Sequence, residues 1–131
     1  MKNGEILTLY ETLDRISKNK DLKFNVRVGY AIAKNKEKLR QEAVLIYNMR
    51  REIIMEHGRI EGKDIVVSQE FIDETNRKIE DLMNIENDIQ IVKFPAEVFN
   101  DYEMNMEDLE GLMLMIEPFE FTGLPQEKTD G

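Results

Sequence analysis

Few side chains in this sequence are placed to do chemistry. His57 is the one histidine, and it follows Glu56. An imidazole beside a carboxylate is the start of a general-base arrangement. The two serines, Ser17 and Ser68, lie in no nucleophile-elbow context, so nucleophile, base and orienting group do not assemble. We assign no catalytic residue and read the chain as a non-enzyme. His57 is read as the last residue of a helix, interacting with free carbonyls.

Two loops come near to known ligand motifs and fail on detail. Gly58-Arg-Ile-Glu-Gly62-Lys63-Asp64 has three residues between its glycines and Asp after Lys. A P-loop needs four residues there, and Ser or Thr to hold magnesium, so the segment is read as a turn. Asp101, Glu103 and Asn105 alternate like calcium ligands, but Met106 stands where such a loop needs Gly, and Leu112 where it needs Glu. These acids suit a helix N-terminus. Neither a metal nor a cofactor is expected.

The one cluster with ligand-binding chemistry is basic and aromatic: Arg27, Tyr30, Lys34 and Lys38, with Lys36 and Arg40 close by. Four-residue spacing puts Tyr30, Lys34 and Lys38 on one helix face, where cations beside a ring can receive a phosphate or nucleotide. The plainer reading, which we prefer, is the polar side of an amphipathic helix. Direct nucleic-acid binding is not expected, because the field of the acidic half of the chain opposes it.

The element that must position these residues is one long helix, expected over 26–57 and about 48 Å long at 1.5 Å per residue. Ile32, Leu39, Ile46 and Ile53 fall seven apart, with Val28, Asn35, Glu42 and Met49 as a companion line four residues earlier. Val28, Ile32, Asn35, Leu39, Ile46, Met49 and Ile53 therefore form a seam that buries against its own chain, a second copy, or both. Asn35 on that seam either fixes register or partner number, or sits at its margin bonded to backbone or water. Gly29 would permit a close helix crossing, and Gly58 is suited to a left-handed stop after the helix.

Around that helix the sequence predicts three more. Ile6, Leu9, Tyr10, Leu13 and Ile16 mark a helix over 5–18 with Asn3 as its cap. Ser68 precedes a helix over 69–84 whose inward face is Phe71, Ile72, Thr75, Ile79, Leu82 and Met83. Asn105 caps a last helix over 106–116, with Leu109, Leu112, Met113 and Ile116 on one face and Pro118 closing it. Ile65–Val67 and Asp88–Phe94 read as short strands that pair into a two-stranded ribbon. The fold class is thus α+β, mainly α: about four helices around one long central helix, plus a small β ribbon.

At 131 residues and 41% hydrophobic, the chain is expected to be a single domain over 1–117, with a flexible tail over 118–131. It has no cysteine, which excludes disulfides and Cys-ligated metals. No apolar run suits a membrane span, and the early acids Glu5, Glu11 and Asp14 do not suit a signal peptide, so a cytoplasmic location is expected. Charge divides unevenly: residues 1–63 carry 14 Lys and Arg against 9 Asp and Glu, residues 64–131 carry 4 against 18, and the total is −9. Either the two halves attract within the fold or across a subunit interface, or the acidic half faces a basic partner.

Asn3-Gly4-Glu5 with Leu9 and Tyr10, the block from Tyr30 to Asn35 with Leu39, and Leu109 to Glu117 resemble a family of short uncharacterised proteins from phages and prophages of Gram-positive bacteria. The resemblance implies action inside a bacterial cell and transfers no site residue, since that family is a domain of unknown function. Together these readings predict an accessory protein that binds a host or phage protein and self-associates, with a dimer favoured. The alternatives are an oligomeric sponge that sequesters a nucleotide signal in anti-defence, and an acidic mimic of nucleic acid.

Overall fold

The computed structural model describes residues 1–99 and 102–117. Its architecture is mainly helical α+β, with four helices and one two-stranded antiparallel sheet. Helix α1 spans Asn3–Ser17, α2 Val26–Glu56, α3 Ile72–Met83 and α4 Met106–Leu112. Strands β1, Gly58–Glu61, and β2, Asp64–Val67, lie between α2 and α3. None of these helices is long and apolar enough to cross a membrane. The expected tail and Asp101 lie outside the described residues.

Helix α2 is continuous over 31 residues. Its start is set by Asn25, whose side chain accepts from the Val28 N–H at 2.9 Å and satisfies one of the donors a helix N-terminus leaves open. Helix α1 runs antiparallel beside it, for Tyr47 meets Glu11 while Lys36 meets Asp14 and Ser17. The α1 stripe Ile6, Leu9, Leu13 and Ile16 and the α2 line Val28, Ile32, Leu39 and Ile46 are all buried, in one core with Leu112 and Met115. Each such side chain contributes about 1.5–3 kcal/mol when fully buried. The core, not helix propensity, holds the rod in place.

Several expectations are corrected. Asn3 is not the cap of α1 but its first helical residue, buried, with its carboxamide donating to Leu82 O at 3.0 Å. Glu5 instead accepts from the Lys2 N–H at 2.8 Å. Gly29 lies at no helix crossing: a Cβ there would meet only the Phe24 Cβ, at 3.9 Å. Gly58 does not adopt a left-handed conformation. It opens β1, and a Cβ would lie 2.6 Å from the Ile54 carbonyl oxygen, so its smallness serves packing.

The ribbon exists, but with another partner. β2 pairs with β1, from Gly58 opposite Val67 to Glu61 opposite Asp64, and Gly62 at φ 64° makes the turn. A glycine at the first central position of a two-residue hairpin loop favours this local closure, which needs no long loop. The segment 88–94, expected as the partner strand, runs extended along α2 and bonds to its side chains. Phe94 then forms a parallel bridge with Ile116.

The last two helices are shorter than expected. A 3-10 turn, Gln69–Phe71, precedes α3, and only Thr75 and Leu82 of its inward face are fully buried. In α4 the Asn105 cap is present, its side chain accepting from the Asp108 N–H at 2.8 Å. The helix tightens at Met113–Met115 into a 3-10 turn. That change of pitch turns Met115 inward and leaves Met113, expected inside, facing out.

Candidate interaction surface

The seam of α2 is closed by its own chain. Val28, Ile32, Asn35, Leu39 and Ile46 are buried beneath α1 and the segment that follows α3, and Ile53 is half-buried. Asn35 is wholly buried near the middle of this line, where its carboxamide donates to Val92 O and accepts from the Val92 N–H, each at 2.9 Å. It is therefore bonded to backbone, but in the core and not at the margin. As a surface for a second copy, the predicted seam retains only Met49, which is 42% exposed.

The opposite face of α2 is open. Tyr30 is 67% exposed, Leu45 54% and Val44 48%. Positions 34, 38, 41, 45, 48 and 52 follow a three-and-four spacing, and all six are exposed. They form a second stripe at helical period, distinct from the buried one. The signal for it was the apolar pair Val44-Leu45, off the seam and with no inward role.

Of the basic–aromatic cluster, the structure brings three members together. Lys34 Nζ lies 5.9 Å from the Tyr30 ring centroid, and both border a shallow groove with Glu37, Lys38 and Gln41. Lys38 Nζ also donates to Gln90 O at 3.1 Å. Arg27 lies elsewhere, beside Asn25, Phe94 and Glu97. Lys36 Nζ lies 2.9 Å from Asp14 and donates to Ser17 Oγ, and Lys36 and then Lys18 keep the Asp14 carboxyl below its usual range. Arg40 pairs with Glu37 at 2.6 Å, and its guanidinium lowers the Glu37 pKa in the same way.

His57 caps α2, and its ring stacks on Phe71 at 3.7 Å. Its Nε2 stands 3.4 Å from Glu74 and 3.8 Å from Glu56, so the three side chains converge as metal ligands can. Lys78 Nζ, however, lies 2.8 Å from Glu56 and 3.3 Å from Glu74. The ammonium supplies the positive charge at this point, lowering the Glu56 pKa while its own rises. The arrangement ties the end of α2 to α3.

The ion pair with a buried carboxylate was among those that escaped sequence reasoning. Arg15 Nε donates to the buried Asp108 carboxylate at 2.7 Å, joining α1 to α4 and raising the arginine pKa. Nothing local links residues so far apart in the chain. The outward stripe of α2 is a surface on which apolar and charged groups lie together unburied. No family model, curated protein or solved structure matches this chain.

Proposed function

We propose that this chain is a non-enzymatic accessory protein that works by binding other protein, with the outward face of α2 as its recognition surface. One observation carries the reading: Val44, Leu45 and Met49 remain about half exposed on a helix whose other face is engaged in the core. Leu45 and Met49, four apart, lie on one side of the helix, the spacing of apolar anchors in helix-on-helix recognition. The resemblance to phage and prophage proteins supplies the setting, the cytoplasm of a bacterial host.

The test places a photo-crosslinking residue at position 45 and, as a control, at the exposed Thr8 of α1. A discrete protein adduct at 45, absent at 8 and lost with Val44→Glu, is the expected result. Equal labelling at both positions overturns the reading.

A second reading rests on Lys34 above the Tyr30 ring in the groove that Lys38 borders. It makes the chain a sponge for a nucleotide. Glu37 in the same groove repels phosphate, and Arg27 is absent from it, so protein binding is the stronger reading. A thermal shift with cyclic nucleotides, abolished by Lys34→Glu, would reverse that order.

A further inference from the structure

The exposed stripe of α2 has an order of charge along it. Lys34 and Lys38 lie toward its N-terminal end, Gln41 and Leu45 at its middle with Met49 beside them, and Glu52 and Glu56 toward its C-terminal end. Basic, apolar, acidic is a pattern that repels a parallel copy of itself, since lysine would meet lysine and glutamate would meet glutamate. Turned end for end it becomes complementary.

We propose that a second copy of this chain docks on the outward face of α2, antiparallel, with the two-fold axis at Leu45. This rests on the reading of that face as a protein-binding surface and names its occupant. About the axis, Leu45 meets its own equivalent, Lys38 faces Glu52 and Lys34 faces Glu56, and each unlike pair occurs twice because the contact is isologous. At about 100° per residue, Lys34, Lys38, Glu52 and Glu56 all lie within about 20° of the Leu45 direction, so both charge pairs sit near the line of contact.

The inner pair is the decisive one. Glu52 is exposed and has no ion-pair partner among the described residues. Lys38 gives one of its three protons to Gln90 O and keeps two for a carboxylate. Glu56 is already held by Lys78 and is the weaker outer contact. The apolar centre excludes water from the axis, and the lysine–glutamate pairs choose the direction.

Sedimentation velocity on the full chain, from low to high micromolar concentration at low salt, tests this. A dimer is expected, dissociated by Leu45→Glu, which sets two carboxylates against each other at the axis. Lys38→Glu and Glu52→Lys should each weaken it by about tenfold or more, because either change makes two attractive pairs repulsive. Lys38→Glu combined with Glu52→Lys should restore it. These positions are exposed, and unchanged circular dichroism will show that each variant folds. As the chain has no cysteine, Leu45→Cys introduces a single thiol that a short bifunctional reagent should join to its equivalent.

A monomer at every concentration overturns the proposal. So does a dimer indifferent to Leu45→Glu, or one whose single reversals the double variant fails to rescue. A monomer that still yields a discrete adduct with another protein at position 45 would sink self-pairing alone and leave the proposed function standing.

Discussion

Asn35 and Val92 pair as if both belonged to a strand ladder: one carboxamide satisfies the N–H and the C=O of one backbone residue, at 2.9 Å each. This fixes the segment after α3 against the middle of α2.

Asn35→Leu should therefore destabilise the fold, although leucine suits the apolar line around it. Two hydrogen bonds at about 1 kcal/mol each are lost, for a net cost of about 2 kcal/mol. Urea denaturation with an unchanged m-value checks this. Equal midpoints would mean that Val92 finds other partners.

Two glycines should respond to alanine in opposite directions. At Gly111 a Cβ would lie 1.9 Å from Thr12 Oγ1, forcing α4 away from α1, so Gly111→Ala should cost about 1–3 kcal/mol. At Gly29 a Cβ would make only an ordinary contact with the Phe24 Cβ and the backbone is helical, so Gly29→Ala should stabilise by about 0.5–1 kcal/mol. Thermal midpoints of the two variants, moving apart on either side of the parent, are the expected outcome.

Thr75 is buried in α3 and its hydroxyl has no hydrogen-bond partner among the described residues. An unpaired buried hydroxyl costs about 1–3 kcal/mol, and valine of similar shape removes it. Thr75→Val should be neutral to stabilising by about 1 kcal/mol, whereas Thr75→Ser, which keeps the hydroxyl and loses a methyl, should destabilise. Chemical denaturation of the pair distinguishes them, and a destabilised valine variant would show that the hydroxyl is served.

The Tyr47 phenol is pushed up to about 12, first by burial and then by its hydrogen bond to Glu11. A folded-state value above the ordinary 10 means that the stabilisation is fully present below pH 10 and is lost as pH rises through about 12. Ultraviolet titration should show a tyrosine step near pH 12 that Tyr47→Phe removes. A parent and variant with identical alkaline titrations would contradict the assignment.

Much of the fold was legible because local chemistry dictates it. The seven-residue apolar line fixed α2 as a rod, and Asn105 announced a helix start through the one function a short side-chain oxygen performs there. The ribbon partner was misread because alternation in 88–94 reports an extended segment without saying what satisfies its backbone. Side chains of α2 did so where a strand was expected. The Gly62-Lys63 turn was the overlooked sign of the true hairpin.

By itself the sequence determined the helical content, the length of the central rod and which line of it is apolar, since these follow from periodicity within one element. The tertiary structure alone decided what covers that line. Burial is a property of several segments at once, and only their docking shows that α1 and the residues after α3 close the seam while Leu45 and its neighbours stay in water. The Arg15–Asp108 pair has the same origin: two charges 93 residues apart in sequence meet only once α1 and α4 are packed.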